Sequence, residues 1–231
     1  RNIGVAMRFD VTGTAPVLLS IPAWTPGAYE LSNYARKVSG FTALGSGRPI
    51  GWDKTDYDTW RIRPTAAGPV EVQFDFLADT LDNAMAWSKP DFLLVNGTNV
   101  FPYPEGLGMG FPSQVTVTTA PGWRVVTGLD RDGVDGRYRA ENYHDLVDMP
   151  FFIGRFDLDS AMVDGVWHQL ASYPAGQFAG LARRTLCHPR LRHLPRLRRL
   201  RRLPRRLGGG ARPPRSGFLR GVLRLRQIRP P

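Results

Sequence analysis

Four histidines and one cysteine are the side chains of this 231-residue sequence best suited to hold a metal or move a proton. His144 and Asp148 stand four apart in the run 141–148, with Asp145 between them. On a helix that spacing puts both on one face, where they suit metal ligation or acid–base exchange. The same residues also suit a polar helical turn, with a carboxylate capping backbone N–H groups at a strand entry. A zinc site needs at least three protein ligands. No third ligand lies close by in the sequence, which favours the structural role. His168, beside Trp167, reads as an edge-strand or surface residue. Cys187 lies between Arg184 and His188, neighbours that favour a thiolate. None of the four histidines is followed by Glu.

Trp24, Trp52, Trp60, Trp87, Trp123, Trp167 and Tyr29 could form a stacking platform for a sugar or peptide. Packing within a β-domain short of helices is the more economical reading. Trp24-Thr25-Pro26-Gly27 is the exception to pursue, because proline fixes φ and glycine permits positive φ, giving the backbone a defined turn. It is either a rigid internal loop or a loop presented to a neighbouring domain. Gly106-Leu107-Gly108-Met109-Gly110 lacks the Gly-Lys-Ser/Thr ending of a phosphate loop. Asn96-Gly97-Thr98 fits a glycosylation acceptor but is explained more simply as a hairpin turn.

The elements that must position these residues are mostly strands. Val70, Val72, Phe74 and Phe76 alternate with Glu71, Gln73 and Asp75, the period of a strand with one buried face. Val115 and Val117 alternate likewise with Gln114, Thr116 and Thr118. Further strands are predicted at 3–11, 17–21, 38–44, 57–63, 91–95, 98–101, 123–128, 136–140, 151–157 and 166–173. Turns are predicted at Asn96-Gly97, Pro121-Gly122, Asp132-Gly133 and Asp135-Gly136. Helical turns are predicted only at 28–36 and 141–148, the latter with Asn142 as N-cap. The expected fold is mainly β: an antiparallel sandwich or distorted barrel with one or two short helices, followed by an irregular Arg-rich tail.

Charge divides the chain. The net charge is +11, yet residues 1–180 carry 14 Lys and Arg against 20 Asp and Glu, a net −6, while 181–231 carry 17 Arg and no acid. The basic part also holds 11 Leu, 7 Pro and 5 Gly in 51 residues, too many prolines for a long helix. The expected division is a β-domain over 1–178 and a low-complexity tail over 179–231. Three readings of the tail stand: an Arg-rich arm for an anionic partner, a solvated disordered tail, or a stretch read out of frame. Absence of Lys, Asp, Glu, Asn and Tyr over 51 residues favours the last, since GC-rich codons yield Arg, Pro, Leu and Gly. With the charge confined there, no specific nucleic-acid partner is expected of the body. No apolar run is long enough to span a membrane as a helix. The lone cysteine excludes a disulfide within the chain. Because the sequence begins with Arg1, a preceding signal peptide stays open, and with it a cytoplasmic or a periplasmic or secreted location. Oligomeric state is not legible.

Two segments carry a specific resemblance. Ile21-Pro22-Ala23-Trp24-Thr25-Pro26-Gly27-Ala28-Tyr29, followed by Tyr34-Ala35-Arg36-Lys37-Val38, resembles the P-x-W-x-P-G-[SA]-Y segment and following strand start of the glycyl aminopeptidases, family 61 of the metallopeptidases. Tyr143 to Gly154, with Asp145, Asp148 and Pro150, resembles that family's Y-D-x-L-x-D-S-P-x-x-x-G segment near the end of its N-terminal domain. The resemblance spans roughly residues 3–178.

It implies an N-terminal β-domain that, in full-length relatives, packs on a thermolysin-like zinc domain. That chemistry uses H-E-x-x-H on a helix, whose two histidines hold zinc while the Glu activates water. The motif is absent from this sequence, so no catalytic or metal residue carries over, and no cofactor is expected in this chain. The resemblance makes Trp24, Pro26, Gly27 and Tyr29 a candidate interdomain or substrate-side loop. The expected role is a non-catalytic domain of a truncated enzyme, its partner the missing zinc domain. The alternative is a standalone β-sandwich binding module for a peptide or sugar, with the tail for an anionic partner.

Overall fold

The computed structural model describes residues 2–25, 27–133, 136–163, 166–176 and 221–228. They fall into two units, one made of the described residues among 1–154 and 217–231 and one of those among 155–216.

The first unit holds strands β1 (Asn2–Val11), β2 (Val17–Ser20), β3 (Val38–Gly45), β4 (Arg48–Pro49), β5 (Gly51–Lys54), β6 (Thr59–Arg63), β7 (Gly68–Leu77), β8 (Trp87–Lys89) and β9 (Phe92–Val95). Helix α1 (Gly97–Val100) follows, then β10 (Tyr103–Pro104), β11 (Ser113–Thr118), β12 (Arg124–Val126), β13 (Asp130–Arg131) and β14 (Arg137–Ala140). Helix α2 (Tyr143–Asp148) leads into β15 (Phe151–Gly154). β16 (Asp157–Val163) and β17 (Val166–Ser172) form an antiparallel hairpin in the second unit. β18 (Gly221–Ile228) returns to the first.

The main sheet has the order β13-β14-β11-β18-β1-β7-β3-β4, and two four-stranded sheets have the orders β10-β2-β6-β5 and β12-β15-β9-β8. Alternation explains the layering. Ile3, Val5, Met7 and Phe9 of β1 and Val70, Val72, Phe74 and Phe76 of β7 are all buried, so the main sheet turns one apolar face inward. Phe41 of β3 stacks on Trp60 of β6 at 5.0 Å, which lays the first small sheet over one half of that face. Phe151 of β15 meets Tyr138 of β14 edge-on at 5.7 Å, which lays the second over the other half. The result is a sandwich of open sheets, not a closed barrel. Among the described strands every pairing is antiparallel except β11 with β18. Among the described residues no helix is long and apolar enough to cross a membrane.

Several local expectations change. The strand predicted at 98–101 and the hairpin turn at Asn96-Gly97 are instead the start of α1, with Asn96 at its N-cap position. Residues 28–36 do not make two helical turns; a single 3-10 turn, Tyr34–Lys37, forms there. The reason is local: Tyr29 and Asn33 both adopt left-handed φ, 56° and 47°, which interrupts any helix. The predicted 151–157 strand stops at Gly154. Of the segment expected to be irregular, 221–228 is a strand inside the main sheet; Cys187 lies outside the described residues.

Candidate functional site: the loop after β2

The loop leaving β2 is held at its base by backbone bonds. Ile21 N–H donates to the Asp58 carbonyl at 3.0 Å, and Ser32 and Asn33 N–H donate to the Ala23 carbonyl at 2.8 and 3.3 Å. Within it, Ala28 N–H donates to the Thr25 carbonyl at 3.2 Å, closing a turn through Gly27 at φ 95°. Only glycine adopts that φ without strain.

A partly buried polar chain then anchors the loop to the domain. Thr25 Oγ1 lies 2.7 Å from the Tyr34 hydroxyl and 2.5 Å from Thr98 Oγ1. Thr98 Oγ1 donates to Asn96 Oδ1 at 3.2 Å. Asn96 and Asn99 both donate to the Ala84 carbonyl, at 3.1 and 2.9 Å, and Asn99 Oδ1 accepts from Ala86 N–H at 2.5 Å. Tyr34, Thr98 and Asn99 are buried. Satisfied buried polar groups specify one arrangement, because breaking any link strands a desolvated partner. The segment 79–86 is fixed to the same frame: Asp82 Oδ1 accepts from Ala84 and Met85 N–H, and Lys37 Nζ reaches Asp79 Oδ1 at 2.7 Å. That ammonium holds the Asp79 carboxyl below its usual range.

On this rigid base the loop displays apolar side chains. Trp24 is 43% exposed, Tyr29 87% and Leu31 74%. Leu81, on the tethered neighbouring segment, is also exposed. Tyr29 holds φ 56°, in the left-handed region uncommon for an aromatic residue. Beside the loop's start, Ser20 Oγ donates to Glu105 Oε1 at 2.6 Å and lies 2.7 Å from Thr59 Oγ1, which donates to Asp58 Oδ1 at 3.0 Å. Burial first, then the Glu105 and Asp58 charges, push the Tyr103 phenol up.

Of the first motif, Trp24, Gly27 and Tyr29 lie on this loop; Pro26 falls outside the described residues. The second motif builds an internal joint. Asn142 caps α2: its Oδ1 accepts from Asp145 N–H at 2.9 Å, and its Nδ2 donates to Asp145 Oδ2 at 2.7 Å. The Tyr143 hydroxyl donates to the Phe101 carbonyl at 2.7 Å, and burial raises its phenol far above the ordinary value. Asp148 and His144 are exposed on α2, and Pro150 is half-buried. α1 touches both motifs, through Thr98 to Thr25 and through Gly97 to α2, where a Cβ on Gly97 would stand 2.6 Å from Val147 Cα.

Zinc does not fit here: among the described residues no group of three or more His, Cys, Asp or Glu side chains could hold a metal ion. Sequence reasoning placed Thr25 in the loop but not as its anchor, and it missed Asn99, Leu31 and Leu81. Thr25 bonds Thr98 73 residues away and Asn99 bonds Ala84 15 residues away, so no local pattern marks these links, and Thr98 was legible only as part of Asn96-Gly97-Thr98.

Comparison with known proteins agrees with this architecture. The model of the peptidase M61 N-terminal domain matches residues 1–155. A crystal structure of an aminopeptidase N family protein from Idiomarina loihiensis has a similar fold, with TM-score 0.68 and 24% identity over 74% of this chain. This chain spans 30% of that protein's length. An M1 zinc metallopeptidase from Deinococcus radiodurans matches loosely, with TM-score 0.39 and 12% identity, over 79% of this chain and 48% of that one. No curated protein matches. With both motif segments lying in the matched region and the sandwich they build on the page, the chain belongs to the peptidase M61 N-terminal domain family.

Proposed function

We propose that this chain is the non-catalytic N-terminal part of a truncated zinc aminopeptidase-like protein, and that its β2 loop packs on the catalytic domain and helps shape the peptidase active site. The observation that carries the proposal is a loop displaying Trp24, Tyr29 and Leu31 to solvent while Thr25 within it is bonded to both Tyr34 and Thr98. Exposed aromatics on a rigid frame are the composition of an interface core. In full-length relatives zinc belongs to the catalytic domain, and this domain contributes position.

The test is a chimera in which the loop of residues 21–33 replaces the corresponding loop in the N-terminal domain of an active family 61 aminopeptidase. The expected result is an active, zinc-loaded chimera whose kcat/KM falls at least tenfold in Trp24→Ala plus Tyr29→Ala, with zinc content unchanged. A double variant with parental kinetics contradicts the proposal. The chain alone is expected to show no chelator-sensitive hydrolysis of amino-acid amides.

A further inference from the structure

The main sheet has a strand position that the described residues of 1–155 do not fill. The family match ends at residue 155, and the strand between β1 and β11 is supplied by 221–228. β18 runs antiparallel to β1 from Asn2↔Ile228 to Arg8↔Val222, and parallel to β11 from Ser113↔Gly221 to Thr118↔Arg226. Strands stand about 4.8 Å apart in a sheet, so the gap between β1 and β11 is about 10 Å and admits one strand. Without it, two facing rows of backbone N–H and C=O groups would lie unpaired in mid-sheet.

We propose that this gap is a strand-acceptor site, and that its ligand is an extended peptide of alternating apolar and basic residues, here 221–228 of the same chain. The register carries the specificity. Leu223 stands opposite Met7 and Val115, and Leu225 opposite Val5 and Val117. All four partners are buried residues of the core-facing rows. The intervening positions fall on the other rows: Arg226 is opposite Gly4, which is itself opposite Asp75 of β7. Arg224 is opposite Ala6, which is opposite Gln73. A strand slipped by one residue would place Arg where Leu belongs, so the pairing selects one register. This is recognition by strand addition, with backbone bonds for affinity and alternate positions for choice.

The experiment uses the full chain with Cys187→Ser. Ala6→Cys with Arg224→Cys is expected to oxidise to a disulfide at least tenfold faster than the mis-registered Ala6→Cys with Arg226→Cys. Separately, Leu223→Asp plus Leu225→Asp is expected to raise amide exchange of β1 and β11 at least tenfold. Added peptide 217–231 restores protection, and a scrambled peptide of the same composition does not. Equal oxidation of the two cysteine pairs, unchanged exchange in the Asp variant, or a peptide no better than its scrambled control overturns the proposal. The cysteine pairs keep both leucines, so they decide the matter even if the Asp variant unfolds.

Discussion

Tyr143, the first residue of the second motif, holds the fold. Its hydroxyl is spent on the Phe101 carbonyl, and its ring lies between Tyr103 and Phe111. Tyr143→Phe leaves that carbonyl desolvated and unpaired, an expected loss of about 1–3 kcal/mol in denaturant unfolding. Asp79 makes a prediction with a sign. Its carboxyl is held low chiefly by the hydrogen bond from Lys37, so the stabilisation is present above the unfolded carboxylate value, about 4, and is lost as pH falls through the lower folded value. Asp79→Asn is therefore expected to lose less stability than the parent between pH 5 and pH 2, measured by urea midpoints; equal losses would exclude the ion pair as the cause. At this scale the sequence was legible where a residue acts on near neighbours. Asn142 as the cap of α2 follows from its place before Tyr143. Thr25 was not legible as an anchor, because its partner Thr98 lies 73 residues away and nothing local marks the bond.

Elements tell the same story through their spacing. β7 and β11 were legible because period-two alternation over a long run leaves one reading, and both formed with the expected faces. α1 was not. Asn-Gly between apolar runs normally marks a hairpin turn, but Gly97 here permits close approach of the backbone to α2. A Cβ at that position would overlap Val147 Cα and Leu146 O, both backbone atoms that side-chain rotation cannot move aside. Gly97→Ala is expected to cost about 1–3 kcal/mol by overpacking and to loosen α1 from α2. A thermal midpoint equal to the parent's would show that the helices separate freely. The segment 28–36, which follows Pro26-Gly27, is predicted as two helical turns and forms one 3-10 turn. The left-handed Tyr29 and Asn33, set by the anchored turn, interrupt the longer helix.

For the whole molecule, the fold class and the family were legible, and the completion of the main sheet was not. Composition and alternation sufficed for a mainly β domain, and two short motifs for the family. The strand 221–228 has an apolar–basic alternation, but the Arg-rich text around it gives no local reason to expect pairing with residues 2–8, more than 200 positions earlier. The proposal on which the rest depends is docking of a catalytic domain through the loop after β2. The most direct measurement is hydrogen–deuterium exchange of the chain with and without a separately expressed catalytic domain of a family 61 relative. The expected result is new protection concentrated in residues 23–33 and 79–82, abolished by Trp24→Ala plus Tyr29→Ala. Protection confined to other surfaces, with that loop exchanging as in the free chain, would contradict it.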